Sequence, residues 1–491
     1  MKWVLPILLA AAPAAFAGEI LRVCDDVKDP MTLDPHKEFS EKNHTIIQQI
    51  FEGLVRFGPD GEILPALATR WRRLDDKTIQ FDLRRGVVFH DGTPFQADSV
   101  KFSIERYLDP ETGFPAFGYI NSLARVDIVD DYKVNIVTHN PDGLLLNRLA
   151  GFIVIVPEKH YRNTPPESLK DGPVGTGAFR MRAWERGKEL LLVKNEKYWD
   201  STLPKVDQLI FKFLPAEEQV DALLDGHIDI LTNVPGTRTL EVKSNPSTSI
   251  LKKPSLYTMA GNFNTSRKPL ADPKVRQAIN LAVNKSDLIR YDIFGNGIPI
   301  GTLSMDGEFG HNKNLRPYPF DPEKARALMQ EAGYPEGFEL NVLLKANAAR
   351  TGRIIARQLK NIDVRLKFTL VTDSELFEFL KKRDKWDMAI YSCPDPMHHA
   401  FFIPSIFVAG GSPFSLASAE GIDTRMAAIV KALDPESQRK AAEDLGAYIY
   451  SNFLALPTYQ RMGVYGLRKG VRFTPYKSGM PYFLGVSIDD D

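Results

Sequence analysis

The residues best suited to bind a small molecule follow a predicted strand late in the chain. The strand covers residues 386–390, and polar side chains come directly after it: Tyr391, Ser392, Cys393 and Asp395. Because ligands of open α/β sheets bind at the ends of strands, these side chains are candidates to line a cleft. The Asp395 carboxylate could pair with a cationic group of a ligand, or it could cap a turn.

Three aromatic residues could form an apolar wall of such a cleft. Trp386 begins the predicted strand, Tyr391 follows it, and Phe117 lies far upstream. Aromatic side chains are common in small-molecule sites, and they are equally at home in hydrophobic cores. For each of them the sequence leaves open a contact with a ring-containing ligand or plain packing.

Three histidines suggest a metal-binding alternative. His398 and His399 follow Asp395 closely, and His36 lies near the start of the chain. Neutral imidazole is a common ligand of nickel, copper and zinc. An ordinary structural role for these histidines is the competing interpretation, and no cofactor is predicted.

Motifs of familiar enzymes are missing from the sequence. It has no His-Glu-x-x-His zinc motif, no Gly-x-Ser-x-Gly elbow, no Walker-type phosphate loop and no Cys-x-x-Cys pair. The glycines from Gly172 to Gly177 lack the Lys-Ser/Thr of a phosphate loop and indicate a tight crossing between domains instead. We therefore predict a binding protein rather than an enzyme, with a secreted hydrolase built from dispersed residues as a remote alternative.

The first seventeen residues have the pattern of an export signal. One cation, Lys2, precedes an apolar run from Trp3 to Ala12, and the small residues Ala15 and Ala17 suit a cleavage site. The mature chain is predicted to begin near Gly18. It is expected in the periplasm, without stable insertion in a membrane.

Net charge limits the classes of binding partner, and the two cysteines leave a disulfide possible. The 62 basic and 62 acidic residues cancel, which argues against nucleic acid or an anionic membrane, since both attract a clustered positive face. Cys24 and Cys393 could form one disulfide in an oxidising compartment or remain two separate thiols. The length of 491 residues suits two or three domains.

Strand and helix signals alternate along the whole chain, which predicts compact α/β domains. Three aspartates are predicted to cap helices: Asp98, Asp272 and Asp321, the last two followed directly by proline at the first helical position. Gly333 is predicted to end the helix that begins after Asp321. These features position the elements and carry no chemistry themselves.

Six motifs occur in an order that is typical of one family. They are Leu33-Asp34-Pro35-His36; Phe51-Glu52-Gly53-Leu54 with Leu64-Pro65-Ala66-Leu67-Ala68; Leu83-Arg84-Arg85-Gly86-Val87 through Phe89-His90-Asp91-Gly92-Thr93-Pro94-Phe95; Gly175-Thr176-Gly177-Ala178-Phe179; Lys194-Asn195-Glu196-Lys197-Tyr198-Trp199; and Phe263-Asn264-Thr265 with Val275-Arg276-Gln277-Ala278-Ile279-Asn280. With them the chain resembles the family 5 extracellular solute-binding proteins, which serve peptide and nickel ABC importers and include dipeptide- and oligopeptide-binding members. The resemblance covers essentially the whole mature chain.

The resemblance implies a periplasmic-binding-protein type II fold of the α/β class, in which a hinge joins two lobes and an extra α/β domain is inserted in lobe I. Mapped by the motifs, 1–17 is the signal peptide, 18–56, 171–257 and 464–491 form lobe I, 57–170 the extra domain and 258–463 lobe II. The implied mechanism is closure of the lobes around a ligand, which binds the closed state better. An inner-membrane ABC permease would then receive the ligand from a monomeric receptor.

The resemblance also implies how a ligand would be bound. Dipeptide-binding members hold the ligand ammonium with an aspartate shortly before an Asp-Pro pair, and Ser392 stands at that position here. Because a hydroxyl cannot balance a buried ammonium, the site departs from the family pattern unless Asp395 takes the role. Arg350 matches the arginine that grips the ligand carboxylate, with Arg353 as a weaker substitute.

The nickel-binding members of the family suggest a different ligand, a metal chelate. The segment around His398 and His399 resembles their Asp-Pro-His-Ala-Phe motif with two extra residues, and His36 occupies another position where histidine can face the cleft. Their chelate-binding arginines are absent, because residues 114–117 read Phe-Pro-Ala-Phe and Ala150 stands at the second arginine position. The main prediction is therefore a receptor for a short or modified peptide or an amino-acid-derived compound.

Overall fold

The structure is a computed structural model that describes residues 18–25 and 29–489, so the predicted export signal lies outside the described residues. The strands in this part of the chain are β1 (Ile20–Cys24), β2 (Val55–Phe57), β3 (Ile63–Pro65), β4 (Ala68–Arg73), β5 (Thr78–Leu83), β6 (Leu123–Asp130), β7 (Lys133–Thr138), β8 (Phe179–Glu185), β9 (Glu189–Lys194), β10 (Gln208–Lys212), β11 (Ile230–Leu231), β12 (Thr248–Phe263), β13 (Gly297–Pro299), β14 (Phe338–Lys345), β15 (Val364–Val371), β16 (Met388–Pro394), β17 (Ala455–Arg468), β18 (Val471–Arg472) and β19 (Ser487–Ile488). Helices connect most of them, as expected for an α/β chain.

The α-helices of the same residues are α1 (Glu41–Ile50), α2 (Ala97–Leu108), α3 (Leu145–Phe152), α4 (Glu158–Asn163), α5 (Pro166–Leu169), α6 (Gln219–Leu224), α7 (Thr239–Ser244), α8 (Pro273–Ala282), α9 (Lys285–Tyr291), α10 (Pro322–Glu331), α11 (Ala349–Leu359), α12 (Asp373–Leu380), α13 (Phe402–Phe407), α14 (Ile422–Lys431) and α15 (Pro435–Ser451). Short 3-10 turns occur at Phe117–Tyr119, Ala346–Ala348, Lys360–Ile362 and Arg383–Lys385.

Eleven strands form one sheet with the order β15-β14-β16-β12-β17-β11-β1-β10-β9-β8, and β13 pairs with β17 beside this path. The long strands β12 and β17 pair with each other along nearly their whole length, and they connect the two ends of the sheet. Their ladder is interrupted between Pro254 and Thr258. Such a break bends a strand locally, and this one lies where β12 and β17 pass from one half of the sheet to the other.

The two halves of the sheet have parallel centres. In the first half, formed by β1 and β8 to β11, β1 runs parallel to β10 and β11. In the second half, formed by β14 to β16, β14 runs parallel to β15 and β16. The first half falls within the range predicted for lobe I and the second within that of lobe II, while the domain limits stay predictions.

A separate antiparallel sheet has the order β4-β5-β7-β6. It lies inside the range predicted for the extra domain, and helix α2 packs on it. The loop before α3, together with α3 itself, reaches the second half of the molecule: the N–H of Gly143 donates to the Val430 carbonyl at 2.7 Å, and Nδ2 of Asn147 donates to the Met397 carbonyl at 2.8 Å. One hydrophobic cluster accordingly extends from residues 54–155 to residues 371–455.

The predicted helix caps were right in two cases and wrong in one. Asp272 accepts a hydrogen bond from the N–H of Lys274, and Asp321 accepts one from the N–H of Lys324. Asp98, by contrast, lies in the first turn of α2, and Gln96 precedes that helix. The N–H of Ala97 donates to the Asp131 carbonyl at 2.9 Å. This tertiary contact accompanies a helix start at Ala97, earlier than a cap at Asp98 would predict.

Candidate functional site

A cavity lies beside the break between β12 and β17, and we call it the hinge cavity. Its volume is about 100 Å³, several times the space that one water molecule needs. Side chains from both crossing strands and from the first half of the sheet line it, including Asp25, Thr232, Asn233, Tyr257, Arg461 and Met480. A turn of the two halves about the break would therefore change the shape of this cavity.

Arg461 supplies the basic side chain of the hinge cavity. Its guanidinium lies over the ring of Tyr257, 4.9 Å from the ring centroid. No carboxylate and no hydrogen-bond acceptor of residues 18–25 and 29–489 reaches that guanidinium. The guanidinium, which carries five N–H donors, belongs to a half-buried residue.

Tyr257 links the hinge cavity to the second half of the sheet. Its hydroxyl lies 3.2 Å from Oγ of Ser392, and that oxygen also accepts a hydrogen bond from Nδ2 of Asn347 at 3.3 Å. Ser392 is buried, Tyr257 is half-buried and Asn347 is exposed. Uncharged groups thus surround the position where the resemblance places an ammonium-binding carboxylate.

Asp25 supplies the acidic side chain of the hinge cavity. It follows β1 directly and is half-buried. Its carboxylate accepts a hydrogen bond from the hydroxyl of Thr232, which follows β11. Asp25 and Arg461 therefore place opposite charges on the lining of one cavity.

The strand predicted to lead into the cleft has different limits in the structure. It begins at Met388 rather than Trp386 and continues to Pro394, so Tyr391, Ser392 and Cys393 lie within it rather than after it. Because side chains alternate between the faces of a strand, Tyr391 points away from Ser392. The Tyr391 ring stacks on Phe407 at 4.4 Å, and its hydroxyl donates to the Phe414 carbonyl at 3.0 Å.

The two cysteines are not disulfide-bonded in the structure. Cys24 is buried in a hydrophobic cluster of the first half of the sheet, with Val220 and Leu231 among its members. Cys393 is half-buried in β16 of the second half. Of the two alternatives, the structure shows separate thiols.

Asp395 lies in the turn after β16 and is fully buried. Its two carboxylate oxygens accept hydrogen bonds from the N–H groups of Met397 at 2.7 Å and His399 at 2.8 Å. Burial raises the pKa of Asp395 to about 7, and burial together with the Asp395 charge raises the pKa of Glu308 beside it. These contacts are those of a carboxylate that caps a turn.

The three histidines lie at two separate places. The ring of His36 packs on Tyr107 with 3.8 Å between centroids, whereas the ring of His398 stacks on Phe57 at 4.3 Å, next to His399 in sequence. Burial lowers the pKa of His36 to about 4 and the pKa of both His398 and His399 to about 3. In the part of the chain that the structure describes, no group of three or more His, Cys, Asp or Glu side chains has the arrangement of a metal site.

Arg350 lies in the first turn of α11 and is exposed. Its guanidinium lies 4.7 Å from the ring centroid of Phe294. That ring packs against Gly236, where an added Cβ would come within 2.6 Å of it. Arg350 is therefore at the rim of a contact between the two halves and is not part of the hinge cavity's lining.

A larger space, the lateral cavity, lies between the extra domain and the second half of the sheet. Its volume is about 1160 Å³, and its lining includes Tyr119, Arg148, Phe377, Phe401, Phe414 and Met426. Phe117 is 43% exposed and adjoins lining residue Gly118. Trp386 is buried elsewhere, where its Nε1 donates to the Phe379 carbonyl at 2.9 Å.

Several of the family-like motifs converge on one buried carboxylate, which we call the Glu52 cluster. Glu52 accepts hydrogen bonds from the hydroxyl of Tyr198 at 2.9 Å, from Nε1 of Trp199 at 3.0 Å and from the hydroxyl of Thr176 at 2.9 Å. Next to Thr176, an added Cβ at Gly175 would come within 2.2 Å of a backbone carbonyl oxygen, which explains the tight crossing that the glycines indicated. These motifs form hydrogen bonds between segments that are distant in the sequence, and they do not line the hinge cavity.

Sequence reasoning did not identify Arg461, Tyr257 or Asp25. One signal was present, because Arg461 is the single charged residue between Ala455 and Gly466 of β17. A charge in an otherwise uncharged strand requires a partner or solvent. Tyr257 and Asp25 carry no comparable signal, since neither stands out from the tyrosines and aspartates around it in the sequence.

Comparison with known proteins identifies relatives across the chain. The model of bacterial extracellular solute-binding proteins, family 5 Middle, matches residues 62–412. Glutathione-binding protein GsiB of Pectobacterium atrosepticum is 27% identical over 343 residues, which cover 69% of this chain and 66% of that protein. GsiB of Salmonella typhimurium is 26% identical over 377 residues, covering 75% and 73% respectively.

Solved structures show the same fold. HbpA2 from Haemophilus parasuis superposes with a TM-score of 0.84 at 25% identity, over 96% of this chain and 100% of that one. AgaA from A. tumefaciens R10, solved with agropinic acid, superposes with a TM-score of 0.80 at 26% identity, over 96% and 99%. These likenesses confirm the predicted type II periplasmic-binding-protein fold.

No helix among the described residues is long and apolar enough to span a membrane. The matched proteins are solute-binding proteins rather than enzymes. With a family model that covers most of its length, this chain belongs to the bacterial extracellular solute-binding proteins of family 5.

Proposed function

We propose that this protein is the substrate-binding component of an ABC importer. It captures a small ligand, a short or modified peptide or an amino-acid-derived compound, between two closing lobes and delivers it to an inner-membrane permease. The observation that carries this proposal is the hinge: β12 and β17 cross between the two halves of the sheet, their ladder breaks between Pro254 and Thr258, and the hinge cavity lies at that break. A ligand enclosed there favours the closed arrangement because it contacts both halves only in that state.

The ligands of the relatives support this class of compound. The GsiB proteins are named for glutathione, a modified tripeptide, and AgaA was solved with agropinic acid. Both are small organic acids. A cavity lined by an arginine that no acceptor of the described residues reaches suits such compounds better than it suits a sugar or a lipid.

The family and the sequence support proposals on location, partners and oligomeric state. The predicted export signal and the extracellular family together support a periplasmic protein. We propose that it acts as a monomer, is not an enzyme and binds no nucleic acid. A receptor of this kind returns its ligand chemically unchanged after release.

The remaining candidate residues keep proposed roles that differ with their position. Ser392 is proposed to contact the ligand from the second half of the sheet, because its hydroxyl already hydrogen-bonds with Tyr257 beside the hinge cavity. Arg350 is proposed to act at the rim, where it lies next to Phe294. Tyr391 and Trp386 are proposed to have packing roles in the second half, where Tyr391 stacks on Phe407 and Trp386 donates to the Phe379 carbonyl.

Calorimetric titration combined with small-angle X-ray scattering tests the function. Ligand-free protein is titrated with glutathione, a panel of dipeptides and the common amino acids, and the scattering is recorded before and after addition. We expect at least one compound to bind, to reduce the radius of gyration and to be recovered unchanged. Binding without any change in the scattering, or conversion of the compound, would contradict the proposal.

A further inference from the structure

Arg461 differs from two arginines that the fold pairs with carboxylates of the protein. Arg106 pairs with Asp34 through two hydrogen bonds of 2.9 and 2.6 Å, and Arg148 pairs with Asp142 at 2.9 Å. Each of these cations has an anion of the protein beside it. Arg461 has the face of a tyrosine ring and, among the described residues, no anion.

The orientation of Arg461 preserves its ability to bind. The contact with the ring of Tyr257 restrains the guanidinium without using any of its N–H groups in a hydrogen bond. A fixed fork loses less rotational freedom when it binds a carboxylate in a two-pronged way. Arg461 is therefore positioned before a ligand arrives.

The charge at the other side of the cavity has the opposite sign. Asp25 belongs to the same lining, and the Thr232 hydroxyl fixes its carboxylate. The groups contributed by the second half of the sheet near this place, Ser392 and Asn347, are uncharged. The charged side chains that line the hinge cavity thus come from the hinge strand β17 and from the first half.

We propose that the hinge cavity binds a small zwitterion, with Arg461 as the group that takes the ligand carboxylate and Asp25 as the group that takes its ammonium. This inference rests on the proposed function. It accounts for Ser392 at the position where the resemblance led us to expect an aspartate, because the carboxylate that balances the ammonium is on the first half instead. The ligand then docks on the open first half and the hinge, and closure of the second half adds uncharged hydrogen bonds.

Titration of four variants with matched ligand pairs tests this assignment. The variants are Arg461→Ala, Arg461→Lys, Asp25→Asn and the control Arg85→Ala, whose guanidinium lies 4.3 Å from the Tyr132 ring centroid on the exposed surface of the extra domain. The probes are the common amino acids, dialanine and glutathione, each compared with its C-terminal amide and its N-acetyl derivative. Thermal unfolding of every variant checks that it is folded.

The expected results separate the two charges. Arg461→Ala lowers the affinity for the best-binding zwitterion by 100-fold or more. Arg461→Lys recovers part of that affinity. The control Arg85→Ala has the affinity of the unsubstituted protein. Wild type binds the free carboxylate form of the ligand more tightly than its C-terminal amide. In Arg461→Ala the two forms bind with the same affinity. Asp25→Asn lowers the affinity for the zwitterion by about tenfold. Its affinity for the N-acetyl derivative is at least that of wild type.

Two outcomes overturn the inference without touching the proposed function. One is a ligand that closes the lobes and binds Arg461→Ala as tightly as wild type. The other is a protein that binds none of the zwitterions but releases a co-purified compound of another class on denaturation. The proposed function fails separately if no compound, added or co-purified, binds and closes the lobes.

Discussion

The Glu52 cluster and the hinge cavity each contain a titratable side chain that is at least partly buried, and they differ in the hydrogen-bond partners that the protein provides. Glu52 is 4% exposed, and three side chains of the protein donate hydrogen bonds to it. Arg461 is half-buried, and no acceptor of the described residues reaches its guanidinium. A polar group whose hydrogen bonds are made within the protein stabilises the fold, whereas a donor without a protein acceptor is available to a ligand.

The comparison also separates the residues of the family-like motifs from those proposed to bind a ligand. The three donors to Glu52 come from the Gly175–Phe179 and Lys194–Trp199 motifs, which lie far apart from Glu52 in the sequence. Burial raises the pKa of Glu52, and the three hydrogen bonds lower it. The Glu52 cluster therefore has a structural role that is separate from the hinge cavity.

Removing the Glu52 carboxylate gives the largest expected effect. Glu52→Ala leaves three buried donors without an acceptor, which costs about 3–5 kcal/mol in free energy of unfolding. Glu52→Gln keeps one acceptor oxygen and should lose about half as much. Urea unfolding measures both variants. A loss below about 1 kcal/mol for Glu52→Ala would show that the cluster is not a structural centre.

Blocking closure should come next in size. An added Cβ at Gly151 would lie 2.6 Å from the Pro396 carbonyl oxygen, so Gly151→Ala disfavours the contact between α3 and the second half. We expect ligand affinity to fall by about 30-fold, equal to about 2 kcal/mol, while the ligand-free protein becomes more open in X-ray scattering. Gly485→Ala, with no atom within 4 Å of the added Cβ, is the control. Equal affinity in both variants would mean that this contact is not part of closure.

The pH dependence of stability provides a third test at the same interface. Burial lowers the pKa of His398 to about 3, so between pH 3 and the ordinary value of 6.5 the unfolded state binds more protons and stability falls as the pH is lowered. His398→Phe keeps a ring against Phe57 and removes this titration. We expect its stability to fall less steeply between pH 6 and 4, by up to about 1.4 kcal/mol per pH unit.

Asp395 changes stability with pH in the direction opposite to His398. It is present in both wild type and His398→Phe. Its pKa of about 7 in the folded state lies above the ordinary value of 3.8, so its contribution is retained at low pH and lost as the pH rises through 7. The difference between wild type and His398→Phe therefore isolates the histidine. Identical slopes for the two proteins would show that His398 is not held neutral at this contact.

Arg350 should give the smallest effect. It lies at the rim beside Phe294 rather than in the hinge cavity, so Arg350→Ala is expected to weaken a carboxylate ligand by about tenfold, or about 1.4 kcal/mol. Calorimetric titration with the best-binding zwitterion measures this. An effect as large as that of Arg461→Ala would move the carboxylate site from the hinge to the rim.

The fold could be predicted from the sequence, whereas the lining of the hinge cavity could not. Asp272 and Asp321 were predicted as caps because capping depends on a few adjacent residues. Tyr391 is packed on Phe407, since the face of a buried strand on which a residue lies depends on neighbours distant in sequence. Arg461 escaped notice because its significance is the absence of a protein anion around it in three dimensions, which no local pattern encodes.

Native mass spectrometry of gently purified protein, wild type and Arg461→Ala, tests the central claim most directly. Both proteins are incubated with the zwitterion mixture and compared with their denatured masses. The account predicts one small organic zwitterion bound to wild type and absent from Arg461→Ala. No bound mass on wild type, or the same mass retained by Arg461→Ala, would contradict it.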